Sequence, residues 1–297
     1  MGEAGHGRGT AATVRELSMA LASMQEAIGH TMVKAGFPEV RAGSQAHREQ
    51  SEQASYAARS SLPVEDAYSI ALMRLTSALD HFAALSLLLG ADPARPYASA
   101  SLARAALVNS VRAWWLLDPE LDVRDRIGRG RADSIENLWE LKKIPIPELR
   151  QKALSTLDEI LADTEAIGFE MQESKDPPRI VGFGPWSSTD LLTKQLGDIG
   201  EIAFRELSSA SHGMVSGLAG RLEPVGLSAK KGITVVKPLE DWSGVVPFVA
   251  IALMSFEQAT DRRFALYGYD TRAHWEPWKA STHRLMLPLL RSADLSG

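Results

Sequence analysis

Arg205 and His212 are the two residues whose types and spacing best suit work on a phosphate. They lie in the segment Asp198-Ile-Gly-Glu-Ile-Ala-Phe-Arg-Glu-Leu-Ser-Ser-Ala-Ser-His-Gly213. A neutral imidazole can take the proton of an attacking hydroxyl, and a guanidinium can offset charge on phosphoryl oxygens. Ser208, on the same helical face, offers an orienting hydroxyl. Seven residues are two helical turns, roughly 10.5 Å of rise. Side chains lean toward the helix N-terminus, so Arg205 leans away from His212, and the two do not meet within one helix. Both act on one phosphate more easily when two such helices face each other in a dimer. The same residues also fit a hydrogen-bonded seam inside a core. Spacing alone does not decide, because Arg41–His47 and Arg74–His81 also place four to six residues between an Arg and a His. What sets this segment apart is its punctuation: Asp198 suits an N-cap, Glu201 a capping box and Gly213 the left-handed residue past the helix end.

A second cluster joins Arg104 to Asp80 and His81 on the preceding helix. It reads as a buried ion network or as a polar binding pocket within a bundle, closed by Trp114 or Trp115. No metal and no cofactor are expected. The chain lacks Glu-x-x-His and His-Glu-x-x-His, and with no cysteine it has no thiolate ligand or nucleophile. Gly182-Phe-Gly-Pro-Trp186 lacks the lysine and hydroxyl of a phosphate-binding loop and reads as a plain loop. Arg124, Arg126, Arg129 and Arg131 alternate with acids, the pattern of a solvated, salt-bridged face.

The elements that must position these residues are helical. From Pro63 onward, Leu72, Leu75, Leu79 and Phe82 alternate spacings of three and four, with Ser86 interrupting. A helix from about Pro96 to Leu117 is apolar nearly all round, so its polar exceptions Arg104, Asn109 and Arg112 need partners. Further helices are expected over about 120–143, 148–169, 189–196, 198–212, 245–267 and 271–290, with an irregular loop over 172–188. Leu227 to Lys237 is the one β-hairpin signal, turning at Lys231-Gly232. The fold class is therefore all-α: a bundle of about eight helices with one small β-hairpin. Residues 1–62 read as a flexible N-terminus with one amphipathic helix and a polar linker, and 63–297 as the bundle domain.

The bulk numbers fit a globular chain: 297 residues, 45% hydrophobic and 23% charged. A net charge of -5 gives no global pull toward nucleic acid or an anionic membrane, so any such contact needs a local patch. No signal peptide begins the sequence, and its most apolar run, 244–256, is short and holds Pro247. A cytoplasmic protein without membrane contact is expected.

Two segments resemble a group of helical proteins common in actinobacteria that has no assigned activity. Ser101-Leu-Ala-Arg-Ala-Ala-Leu-Val-Asn-Ser-Val-Arg-Ala-Trp-Trp-Leu-Leu-Asp-Pro119 is similar to their Arg-Ala-Leu-Glu…Trp-Leu-Leu-Asp-Pro helix, with Val108 or Asn109 where an acid is usual. Phe204-Arg-Glu-Leu-Ser-Ser-Ala-Ser-His-Gly213 is similar to their Tyr-Arg-x-Leu-Ser-x-x-x-His-Gly segment, with Phe204 in place of tyrosine. More distantly the chain resembles the HEPN superfamily of helical bundles, many of them metal-independent ribonucleases of toxin and antiviral systems. Their signature is Arg, four to six residues, then His, and Glu206 departs from the polar residue usual after the Arg. The resemblance implies a homodimer that cleaves RNA, with His212 as base, Arg205 as charge stabiliser and Ser208 orienting. The alternative is a non-catalytic interaction or small-molecule-binding protein whose Arg/His stripe is structural.

Overall fold

The computed structural model describes residues 4–33, 40–56, 62–91, 95–172, 177–183, 187–212, 222–227, 234–238 and 244–292. The chain is all-α with small antiparallel β pairs. Among the described residues there are ten α-helices: α1 Ala4–Val33, α2 Gln45–Glu52, α3 Pro63–Leu89, α4 Pro96–Leu116, α5 Val123–Leu141, α6 Pro147–Ala166, α7 Ser188–Leu196, α8 Asp198–Ser211, α9 Val246–Tyr267 and α10 Trp275–Ser292. The expected hairpin is present as β3 Leu222–Leu227 against β4 Thr234–Pro238, with a register shift between Pro224 and Gly226; its turn lies outside the described residues. A second pair, β1 Met171–Gln172 with β2 Arg179–Ile180, occupies part of the stretch expected to be irregular.

Proline starts four of these helices. Pro63, Pro96, Pro147 and Pro247 sit in first turns, where a missing N–H leaves no bond unmade. α4 is the central helix, packed against α3, α7, α8 and α9. Its Ala100, Ala103, Ala106, Leu107 and Val111 are buried, as its all-round apolarity predicts. In α3 the buried stripe runs Val64, Tyr68, Ala71, Leu75, Ala78, Phe82, Leu85 and Leu89, and Leu72 faces solvent. The seam is thus rotated from the leucine pattern, because alanines let neighbouring helices approach closely. Ser86, which breaks that pattern, accepts through its carbonyl from Ser18 Oγ of α1 at 2.7 Å. Of the described helices, α3 alone is long and apolar enough to cross a membrane by length and composition. Here it packs on α1, α4 and α5.

Two expectations need correction. Residues 44–56 are no plain linker: Ser44 caps α2, a 3-10 turn follows over Gln53–Tyr56, and Glu49 is buried. α1 also joins the bundle, burying Val14, Leu17, Leu21, Met24 and Ile28 against α3 and α10. The arginine run of α5 is not a solvated face. Arg126 is 0% exposed and pairs with Glu49, while Arg131 and Asp133 are buried as well. A charged run hides such burial because each partner lies far away in sequence.

α3 and α5 meet where α5 has no side chain. A Cβ on Gly130 would stand 2.6 Å from Ala67 Cβ and 3.0 Å from its Cα. Gly130→Ala gains helix propensity of up to about 1 kcal/mol, but the overpacking costs about 1–3 kcal/mol. A net loss of about 1 kcal/mol is expected in the denaturant midpoint. Gly29→Ala in α1, with nothing within 4 Å, should instead gain about 0.5–1 kcal/mol.

Candidate functional site

α8 divides its residues by face. Gly200, Ala203, Leu207 and Ala210 are buried, and α8 packs on α4, α7 and α9. Arg205 and His212 lie on the solvent side; the Arg205 side chain is 71% exposed. Arg205 donates from Nε to Glu201 Oε1 at 2.8 Å, an i,i+4 pair on the helix surface. His212 is the C-cap, its backbone N–H bonded to the Ser208 carbonyl at 3.0 Å. A buried seam is therefore not what these two residues form. The start of α8 differs from expectation: the N-cap is Gly197, at φ 66°, and Asp198 is already helical. Left-handed φ favours glycine there, and it lets α7 turn sharply into α8. Ser187, with Asp190, makes the capping box that begins α7.

Arg104 joins this face rather than the Asp80–His81 cluster. From α4 it donates Nε–H to Ser208 Oγ at 2.9 Å, and its guanidinium sits 5.4 Å from the Phe204 ring centroid. Phe204 thus serves as an apolar platform for a cation. Asp80 is exposed and His81 half-buried on α3, and neither pairs with Arg104. Trp115 is buried under Arg129, and Trp114 carries Arg262 at 3.9 Å. These two rings pack arginines and do not close a pocket around Arg104.

Sequence reasoning missed the main ionic network. Arg74 Nη2 reaches both carboxylate oxygens of Asp133, at 2.9 and 2.8 Å, and its Nη1 donates to Asn109 Oδ1 at 3.3 Å. Arg112 binds Asp133 and, through both Nη atoms, Glu136. The surrounding carboxylates hold the Arg112 pKa above its usual value despite burial, which acts the other way. The polar exceptions Asn109 and Arg112 on an apolar helix were the signal: α5 supplies the partners of Arg112, while Asn109 bonds to Arg74 and Ser77 of α3 and to the Ala105 carbonyl. A groove of about 430 Å³ runs alongside, lined among others by Ile70, Met73, Arg74, Asn109 and Asn137. Arg74, Asn109 and Asn137 on its wall are already bonded within the Asp133 network. Arg74 is spent on Asp133, which removes the Arg74–His81 pair as a rival of Arg205–His212.

Among the described residues no group of three or more His, Asp or Glu is arranged to hold a metal ion. No family model, curated protein or solved structure matches the chain.

Proposed function

We propose that the outer face of α8 is an RNA-directed, HEPN-like site, acting as a metal-independent endoribonuclease of a defence or toxin type. The supporting observation is that Arg205 and His212 share the solvent edge of a helix whose other side is buried. In this reading neutral His212 takes the proton of a ribose 2′-hydroxyl. The 2′-oxygen attacks the adjacent phosphorus, the bond to the 5′-oxygen breaks, and that oxygen leaves with a proton as a free hydroxyl. A 2′,3′-cyclic phosphate remains. Arg205 offsets the charge gathering on the phosphoryl oxygens. It must first leave Glu201, and an exposed i,i+4 pair of this kind is worth only about 0.3–0.5 kcal/mol. Ser208 orients the phosphate, itself positioned by Arg104. Two turns separate Arg205 from His212, so a second copy facing this helix completes the site, and a homodimer follows.

The test is cleavage of a mixed structured and single-stranded RNA pool in EDTA. His212→Ala should lose about 10²–10⁴-fold in rate, and Arg205→Ala about 10²–10³-fold. Both variants should melt with wild type, because both side chains are exposed. An inactive wild type overturns the enzyme. One observation favours the second reading, a non-catalytic interaction protein: the Arg104–Ser208 bond ties Ser208 of the polar stripe to the bundle. That reading expects RNA to emerge uncut, and Ser208→Ala to lower the melting temperature while His212→Ala does not.

A further inference from the structure

Three arginines are buried among the described residues, and they are not treated alike. Arg126 has Glu49, and Arg131 has Asp66 at 3.7 Å. Arg263 on α9, 8% exposed, has no carboxylate among the groups acting on it, only the Tyr267 ring 5.6 Å from its guanidinium. Its Nε–H is buried without an acceptor. One turn earlier Thr260, 2% exposed, buries its Oγ1 with no partner either. The groups acting on Arg263 are the Tyr267 and Tyr269 phenols, which burial keeps protonated by raising their pKa values. Burial pulls the Arg263 pKa down from its usual value, yet a guanidinium stays charged in proteins. An isolated buried charge is costly, and structures rarely leave one without a counter-charge.

Thr260 and Arg263 both line one small cavity. It has a volume of about 30 Å³, and its other walls include Ile28, Leu75, Leu79 and Phe256. The space admits about two or three water-sized spheres, given about 10–15 Å³ for each. A phosphate or sulfate group, with five heavy atoms, does not fit. Water can accept from Arg263 Nε but brings no charge. We propose that this cavity, between α1, α3 and α9, binds a monatomic anion, chloride in the cell, held by the Arg263 Nε–H and the Thr260 hydroxyl. The anion supplies the negative charge that the protein withholds. Exposed Thr76 also lines the cavity, which therefore reaches solvent on that side and gives the ion its way in. The site shares no residue with α8 and stands whether or not that helix acts on RNA.

Thermal unfolding at fixed ionic strength, with gluconate exchanged for chloride or bromide, tests this. At chloride ten times its Kd, the melting temperature of wild type should rise by roughly 2–4 °C over gluconate. Thr260→Val and Arg263→Gln should flatten that response. Equal melting in chloride and gluconate, or an undiminished response in Thr260→Val, overturns the site. If Arg263→Gln fails to fold, bromide soaked into wild-type crystals decides directly. An anomalous peak between Arg263 Nε and Thr260 Oγ1 is expected; an ordered water there without a peak overturns the proposal.

Discussion

Glu49→Ala should lower the melting temperature by on the order of 10 °C. Glu49 sits on a short polar helix, but its carboxylate is the counter-charge of a guanidinium with no exposed surface. Arg126 donates from Nε and Nη2 to that carboxylate, and Tyr68 Oη donates to it at 2.7 Å. The remaining Arg126 donors reach the Leu116 and Asp118 carbonyls at 2.7 and 3.1 Å. Removing Glu49 leaves a buried charge and a buried phenol unpaired, which costs about 3–5 kcal/mol. Removing both charges, as Glu49→Leu with Arg126→Met, should cost less than Glu49→Ala alone. Glu201→Ala, which breaks an exposed pair, should leave the melting temperature within about 1 °C. A Glu49→Ala protein that melts with wild type would mean water reaches Arg126.

Glu257 makes stability depend on pH in an unusual direction. It is 3% exposed on α9, and burial pushes its carboxyl up to about 7, against the pull of His283 hydrogen-bonded to it and of Lys279 beyond. Asp261, the partner of Lys279, adds a smaller push upward. In the unfolded chain the same group ionises near 4.5. Between those values the folded protein holds a proton that the unfolded chain has released. Its contribution is therefore full below about pH 4.5 and declines as pH rises to about 7, by on the order of 3 kcal/mol in all. Glu257→Gln should abolish that decline and be the more stable protein at pH 8. Denaturant midpoints at pH 5 and pH 8 for both proteins measure it, and parallel shifts would sink the assignment.

Much of the fold was legible because helices announce their ends and their buried faces locally. The prolines at 63, 96, 147 and 247 fell at helix starts, and the uniform apolarity of α4 marked its central place. The hairpin strands showed in the β-branched run that became β4. What stayed hidden depends on pairing across the chain. Glu49 and Arg126 stand 77 residues apart, Arg74 and Asp133 59, Arg104 and Ser208 104. Periodicity assigns a charged residue to the surface, and it has no means of noticing a second charge that arrives from another helix. The α8 candidates were legible for the converse reason, since spacing within one helix fixes which residues share its face. Arg104 was expected to meet Asp80 and His81 of the preceding helix, when its partner came from α8.

The missing side chain at Gly130 works as a gauge for distant geometry. Ala67 touches that point of α5, and two turns further along α3 comes Arg74, meeting Asp133 three residues on in α5. Glycine thus sets the gap that the Arg74–Asp133 bond must span. Arg74, Asn109 and Asn137 line the groove beside it. A single methyl at 130 would act as a shim, prying α3 from α5 at one end and widening the groove at the other. The width of that groove is therefore written in a position that no ligand would touch.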